Sequence, residues 1–373
     1  MAILNAAIIG LGVRSRAHLA VLPVLPDRYR LAGVCDIDAE RAQAVADQTG
    51  AKAYTDLQTM LDSESLDVAL IAAQPEIHHP IARMLAECRV HILSETPIAH
   101  TLPCADMMIR AAEDNGVFLE VSENARRWPR ERLKQKIVSE GLIGNVREFY
   151  VSYTSGSYHG ISAIRSILGS EPRSVSGTFP DAREVRERGV IRWSDTIGGT
   201  YEHNVERKNY WEVIGSDGAI RGMELNLYRG DRKLAIVSGA SATGQTGMIH
   251  RSSVDTQPAV VWESPLKAYT LPDEDSIAVA EAWCSLYDAV VRGAALEYGA
   301  HNARSDIEVL MAVRESAGRE GIWVDLPLEG MTDHEKRIHS AFEEIYGVDL
   351  LDLTPHHPAQ RGSLPPRLRE LLY

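Results

Sequence analysis

The run Ala7-Ile8-Ile9-Gly10-Leu11-Gly12-Val13-Arg14-Ser15 constrains this chain more than any other stretch. Two glycines follow a short apolar strand (Ile3 to Ile9) and precede a helix-compatible segment containing His18 and Leu19. A strand that turns at once into a helix needs glycine twice, at Gly10 for the turn itself and at Gly12 so that backbone can approach a ligand. The helix start then offers unpaired N–H groups and the positive end of its dipole, which suits a phosphate. Ser15 takes the third small position of this pattern in place of glycine, and its hydroxyl is a further donor to phosphate. A second apolar run, Leu31 to Cys35, ends in Asp36 about 24 residues past Gly12, near the ~20-residue spacing at which an acid accepts from both hydroxyls of an adenosine ribose. Together these residues read as a dinucleotide-binding turn. The Asp36 carboxylate would repel a 2'-phosphate, so NAD is favoured, while Arg14 and Arg41 leave NADP open.

A chain of 373 residues suits two domains. The formal net charge of -13 disfavours nucleic acid, because neutralising phosphates needs a basic face. No run approaches the ~20 apolar residues of a membrane helix, and no lysine or arginine precedes the first apolar run as in a signal peptide. Cys35, Cys88, Cys104 and Cys284 lie far apart without metal-ligand spacing, which fits reduced thiols in a cytoplasmic protein. The pairs His78-His79 and His356-His357 lack a third ligand nearby, so no metal is expected.

Past Asp36, helix and strand alternate: a helix from Ala39 to Thr49, a strand from Asp67 to Ala72, a helix beginning near Pro80 and a strand from His91 to Ser94. Glu95-Thr96-Pro97 follows, then a helix from Leu102 to Asn115 and a strand from Val117 to Ser122. This alternation predicts a doubly wound parallel sheet complete by Glu123. Further on, a helix carrying Leu133, Ile137 and Val138 ends at Glu140-Gly141, and a strand runs from Val146 to Thr154. Short alternating runs then continue to about Lys267 and predict an antiparallel or mixed sheet. Two long helical patterns, Ile277 to Arg292 and Ala303 to Arg319, precede a final strand at Ile322-Trp323-Val324. The expected division is 1–123, 124–328 and an extension, 329–373, lying over the surface or a neighbouring subunit, with Leu364 to Tyr373 as a docking arm.

These residues resemble the glucose-fructose oxidoreductase, inositol dehydrogenase and rhizopine-catabolism family, Gfo/Idh/MocA, over about Leu4 to Pro327. The resemblance is carried by Gly10-x-Gly12 with His18, Asp36 with Arg41-Ala42, Pro75-Glu76-Ile77-His78 with Ala82, and Glu95-x-Pro97. It continues through Glu123-Asn124 with Arg126 and Pro129, Glu140-Gly141-Leu142-Ile143-Gly144, Gly215-Ser216-Asp217-Gly218, and Glu315-Ser316-Ala317 before Val324. It implies an N-terminal Rossmann domain and a C-terminal α+β domain with a large, mostly antiparallel open sheet. It also implies NAD or NADP whose nicotinamide faces a cleft between the domains, a sugar or polyol substrate, and a homo-oligomer formed through the C-terminal sheet. The coenzyme contacts expected on this basis are Gly10, Gly12, Val13, Arg14, Ser15, Asp36, Ile37, Arg41, Ala73, Gln74, Pro75, His78, Glu95 and Thr96.

Most members of that family place lysine in the middle of Glu-x-Pro, and an aspartate and a histidine on a later helix. Here the middle residue is Thr96, His159 falls on the family's histidine, and Ser162 falls where the aspartate is usual. Oxidising a secondary alcohol needs a base near the hydroxyl, and histidine titrates in the right range. His159 is therefore the expected base, with Tyr158 as acid. Thr96 is left to hydrogen-bond without charge. Arg126, Trp128 and Tyr153 are the expected substrate contacts, and Tyr201 and His203 are further candidates. Two readings follow: an NAD-dependent oxidoreductase of a polyhydroxylated compound, or a non-redox or lapsed member that holds NAD tightly.

Overall fold

The computed structural model describes residues 2–153, 158–181, 183–206, 209–239, 248–356 and 364–372. They form two compact units. The first comprises the chain up to Glu123, Ala278–Arg304 and the chain from Lys336 on; the second comprises Asn124–Ile277 and Ser305–Glu335.

In the first unit six parallel strands, β1 (Leu4–Ile9), β2 (Tyr29–Cys35), β3 (Lys52–Tyr54), β4 (Val68–Ile71), β5 (His91–Ser94) and β6 (Leu119–Val121), lie in the order β3-β2-β1-β4-β5-β6. Helices α1 (Ser15–Val21), α2 (Ala39–Thr49), α3 (Leu57–Ser63), α4 (His78–Glu87) and α5 (Leu102–Asn115) alternate with them. Strand β4, Val-Ala-Leu-Ile, is buried along its whole length, as a strand covered on both faces must be. Short local signals set the helix ends. Asp38 caps α2 by accepting from the Arg41 N–H, Asp56 caps α3 through the Thr59 N–H, and Gly50 and Gly116 close α2 and α5 in the left-handed conformation.

The second unit holds α6 (Pro129–Ser139), β7 (Val146–Tyr153), α7 (Tyr158–Leu168) and the strands β8 (Ser174–Thr178), β9 (Val185–Arg192), β10 (Gly198–Asn204) and β11 (Tyr210–Gly215). It continues with β12 (Gly218–Arg221), β13 (Glu224–Leu227), β14 (Arg232–Gly239), β15 (Arg251–Val254) and β16 (Val260–Glu263). Two long helices, α8 (Glu274–Arg292) and α9 (Ala300–Gly318), then lead to the short strand β17 (Val324–Asp325). Eleven strands form one sheet, β16-β15-β14-β13-β12-β11-β7-β10-β9-β8-β17, antiparallel throughout except where β10 runs parallel to β7. Strand β9, Val-Arg-Glu-Arg-Gly-Val-Ile-Arg, alternates buried and exposed at every residue, the mark of a sheet packed on one face.

Three expectations need revision. The last strand covers only Val324–Asp325, and Ile322 and Trp323 precede it as exposed side chains. The described residues past 328 do not merely lie over the surface: α10 (Asp333–Tyr346) buries Ile338, Ala341 and Phe342, and α11 (Pro366–Leu372) buries Leu368 and Leu372. The linear division at 328 gives way to an interleaved one, because much of α8 packs into the first unit. The Tyr29 hydroxyl donates to the Trp283 carbonyl at 2.7 Å, and the Tyr287 hydroxyl to that of Ala2 at 2.8 Å. Thr154, His357 and Tyr373 lie outside the described residues.

Candidate functional site

The ends of β1, β2, β4 and β5 open onto a cleft of about 730 Å³ in the first unit. Its floor is the turn after β1. Gly10 has φ +86°, and a Cβ there would stand 2.6 Å from the Ala73 nitrogen, so this turn and the end of β4 approach as only glycine permits. A Cβ on Gly12 would meet nothing within 4 Å. The space in front of Gly12 is therefore open and belongs to the cleft.

Asp36, at the end of β2, is buried and fixes this turn. Its Oδ2 accepts from the Leu11 N–H at 2.7 Å, its Oδ1 accepts from the Asp38 N–H at 2.9 Å, and Arg41 reaches both oxygens at 3.2 Å. Each carboxylate oxygen has two lone pairs, one taken by a backbone N–H and the other by the longer 3.2 Å contact to Arg41, so a ribose would have to displace or share the Arg41 contacts. Arg41 also pairs with Asp38 at 3.0 Å and lines the cleft beside Asp36.

At the other end of the cleft Glu95 is buried, an unfavourable place for a carboxylate near a phosphate unless it is paired. Arg14 Nε donates to its Oε1 at 2.7 Å, His18 Nε2 lies 2.7 Å from the same oxygen, and the Thr96 N–H reaches Oε2 at 3.0 Å. Burial alone would raise this carboxyl, but the His18 hydrogen bond and the Arg14 charge outweigh it and hold it at about 2. The indole N–H of Trp283 donates to His18 Nδ1 at 3.0 Å. An indole can only donate, so His18 Nδ1 is an acceptor and its proton sits on Nε2, facing Glu95.

Of the expected coenzyme residues, Gly10, Gly12, Val13, Arg14, Asp36, Ile37, Arg41, Ala73, Gln74, Pro75, Glu95 and Thr96 all line this cleft. Ser15 and His78 do not. Ser15 is fully buried and its hydroxyl donates to the Gly12 carbonyl at 2.8 Å, which holds the turn instead of facing a phosphate. His78 is also buried, with ring nitrogens 3.1 Å from the Ala73 carbonyl and 3.2 Å from that of Ile98, so it fixes the loop after β4 from behind. Sequence reasoning missed Thr55 and Leu57, beside the α3 cap, and Pro355 and His356, which line the cleft from far along the chain. It also missed Trp283, which no local pattern connects with His18.

The second unit holds two of the expected catalytic residues, Tyr158 and His159, while the third, Thr96, lies in the first. Tyr158 and His159 open α7 with ring centroids 4.4 Å apart, and the buried Tyr153 of β7 lies 6.4 Å from the His159 ring. Ser162, one turn on, is fully buried, and its hydroxyl has no hydrogen-bond partner among the described residues. Trp128 is stacked by the Arg130 guanidinium at 4.4 Å, and the Arg126 carbonyl accepts from Gln135 at 3.0 Å. Tyr201 and His203 are buried, and Tyr201 donates to Glu187 at 2.7 Å inside the unit. Burial would raise the Glu187 carboxyl, yet Arg314 and Tyr201 hold it at about 2. Among the described residues no cluster could hold a metal, and no helix is long and apolar enough to cross a membrane.

Residues 4–123 match the model of the Gfo/Idh/MocA oxidoreductase family, NAD-binding Rossmann fold. Over these residues, about a third of its length, the chain is similar to that family. The D-apiose dehydrogenase of Paraburkholderia graminis is 33% identical over 150 residues, covering 40% of each chain. The inositol 2-dehydrogenase of Salmonella typhimurium is 30% identical over 144 residues, 38% of this chain and 43% of that protein. These matches thus span only about two fifths of the curated relatives' length. Among solved structures, levoglucosan dehydrogenase in complex with NADH and L-sorbose superposes with a TM-score of 0.70 at 22% identity, over 88% of this chain and 100% of that one. The WlbA dehydrogenase of Bordetella pertussis gives 0.68 at 19%, over 88% and 100%. At such identities the likeness is one of fold, a parallel Rossmann sheet followed by a large, mostly antiparallel one.

Proposed function

We propose that this chain is an NAD-dependent oxidoreductase that acts on a secondary hydroxyl of a sugar, polyol or related polyhydroxylated compound. The observation that carries the reading is the cleft itself, where an open approach to Gly12 lies beside a buried acid at the end of β2. The residues fit the coenzyme. The backbone of Gly10 to Arg14 would hold the pyrophosphate, Asp36 the adenosine ribose, and the Arg14 charge offsets Glu95. When bound, the coenzyme supplies the hydride acceptor.

His159 takes the proton of the substrate hydroxyl and returns it in the reverse direction, with Tyr158 beside it as a second proton carrier. Thr96 hydrogen-bonds a hydroxyl without contributing charge. Ser162 cannot orient an imidazole as a carboxylate does, so His159 works without an acidic partner on its own helix. Arg126, Trp128 and Tyr153 are the assigned substrate contacts. The names of the relatives, dehydrogenases of D-apiose, inositol and levoglucosan, support a polyhydroxylated substrate. Four free cysteines support a reducing, cytoplasmic setting, and exposed Val190 and Val237 on the large sheet support a homo-oligomer formed there.

A second reading, a non-redox or lapsed family member, is favoured by the uncharged Thr96 and by the Ser162 hydroxyl, which has no hydrogen-bond partner among the described residues. A further relative, 26% identical over 113 residues, is named 2,7-anhydro-N-acetylneuraminate hydratase. Screening aldoses, polyols and cyclitols for net NADH formation separates the two readings. Under the first, one of them yields NADH and His159→Asn abolishes it; NADH formation that survives this substitution refutes His159 as the base.

A further inference from the structure

The far end of the chain returns to the coenzyme cleft, and its path there is built rather than incidental. After α10 the chain makes a short 3-10 turn, Leu350–Asp352, capped by Asp349, which accepts from the Leu351 N–H at 2.8 Å. Asp349 also lies 3.0 Å from His339 Nδ1, and His339 Nε2 lies 3.2 Å from the Thr101 hydroxyl at the start of α5. Leu350, the first residue of this turn, and Leu353, just after it, are buried. The segment is thus anchored just before Pro355 and His356, which form part of the cleft wall.

His356 faces the β3–α3 side of the cleft. Its Nε2 lies 3.0 Å from Asp56 Oδ2, while Asp56 accepts from the Thr59 N–H at 2.7 Å and the Thr59 hydroxyl at 2.6 Å. The flanking residues Thr55 and Leu57 line the same wall, as do Ile37 and Asp38 past the end of β2. This is the end of the cleft beyond Asp36, where the base of an adenine dinucleotide would extend once Asp36 holds its ribose. With Pro355 and His356 in place the cleft still measures about 730 Å³, within the range of small-molecule and cofactor sites. The segment is a wall of the cleft and does not plug it.

We propose that His356 is an adenine-recognition residue of the coenzyme site, an inference that rests on the reading of the cleft given above. With its Nε2 proton engaged by Asp56, the ring presents Nδ1 as an acceptor, which matches the exocyclic amine of adenine. Pro355 and the imidazole face supply the flat apolar surface a purine needs. Asp56 fixes the ring orientation and is itself fixed by the start of α3.

The test compares NADH with its hypoxanthine analogue, which has a carbonyl in place of the amine, by fluorescence titration of the full-length protein. Wild type should bind NADH more tightly than the analogue. His356→Phe, which keeps a flat ring, should raise the NADH Kd about fivefold, the loss of one hydrogen bond, and leave the analogue's Kd nearly unchanged, whereas His356→Ala, which loses the ring face as well, should weaken both coenzymes and NADH about fivefold more. Because His356 is half exposed, both variants should unfold at the wild-type temperature, which a melting curve verifies. An NADH Kd unaltered in both variants, or an equal loss for the two coenzymes, overturns the assignment. If wild type fails to bind NADH at all, the underlying reading of the cleft falls first, so the two failures are distinguishable.

Discussion

The two glycines of the opening turn should fail in opposite ways when each is given a methyl group. At Gly10 the left-handed backbone, φ +86°, costs an L-residue roughly 1–2 kcal/mol. The added Cβ would also stand 2.6 Å from the Ala73 nitrogen and 2.7 Å from the Ala72 carbonyl carbon. These are backbone atoms that cannot swing aside, and overpacking of this kind costs roughly 1–3 kcal/mol more. Gly10→Ala should therefore lose roughly 2–5 kcal/mol, a large share of the ~5–15 kcal/mol that typically holds a domain together. At Gly12 neither penalty applies, and Gly→Ala at a compatible position stabilises by about 0.4–1 kcal/mol. The Gly12 methyl instead enters the space through which a pyrophosphate would approach, so Gly12→Ala should raise the NADH Kd at least about tenfold, or about 1.4 kcal/mol. Urea unfolding without coenzyme reads the first effect and fluorescence titration the second. If Gly12→Ala unfolds as early as Gly10→Ala, or binds NADH as wild type does, this account of the turn is wrong.

Three further outcomes follow from the charged groups of the first unit. Burial pushes the His79 imidazole down to about 4, more than the Leu351 backbone offsets; the stability this contributes is complete above pH 6.5 and lost as pH falls through 4. The stability lost between pH 7 and pH 4, measured by urea unfolding, should shrink by about 3 kcal/mol in His79→Phe, and an unchanged loss would remove His79 from the acid response. Glu95, held at about 2, contributes stability that is complete above pH 4.5 and lost as pH falls through 2, so Glu95→Gln should cost about 3 kcal/mol at pH 7 and progressively less on acidification. A pH-independent cost would contradict an ionised, paired Glu95. Arg41→Ala, which removes the guanidinium beside Asp36, should weaken NADPH roughly fivefold more than NADH in paired titrations; equal losses would mean that Arg41 reads no 2'-phosphate.

Much of this was legible because the decisive signals are local. Gly10, Gly12 and Asp36 lie in one strand–turn–helix–strand unit, and Leu102–Asn115 carries proline at its start and Gly116 past its end, so its bounds follow from the chain alone. The sequence-based expectations failed where a backbone group takes the side chain or where a partner is remote. Ser15 was expected to face a phosphate because its position in the pattern faces the ligand, but the nearby Gly12 carbonyl takes its hydroxyl. His78 sits in a motif of the cleft, yet burial turns its ring to the backbone of Ala73 and Ile98. Trp283 meets His18 across 265 residues, and His356 meets Asp56 across 300; neither leaves a periodic trace. The region beyond 328 looks like an extension because its prolines and short helices are not strongly patterned, while Ile338, Phe342 and Leu350 show their burial only once folded.

Equilibrium titration of NADH into the intact protein, followed by coenzyme fluorescence and competed with ADP-ribose, is the most direct measurement of the central claim. Saturable 1:1 binding that ADP-ribose displaces, and that Asp36→Ala weakens, is the result this account predicts. A flat titration to millimolar coenzyme, or binding that ADP-ribose cannot displace, would contradict it.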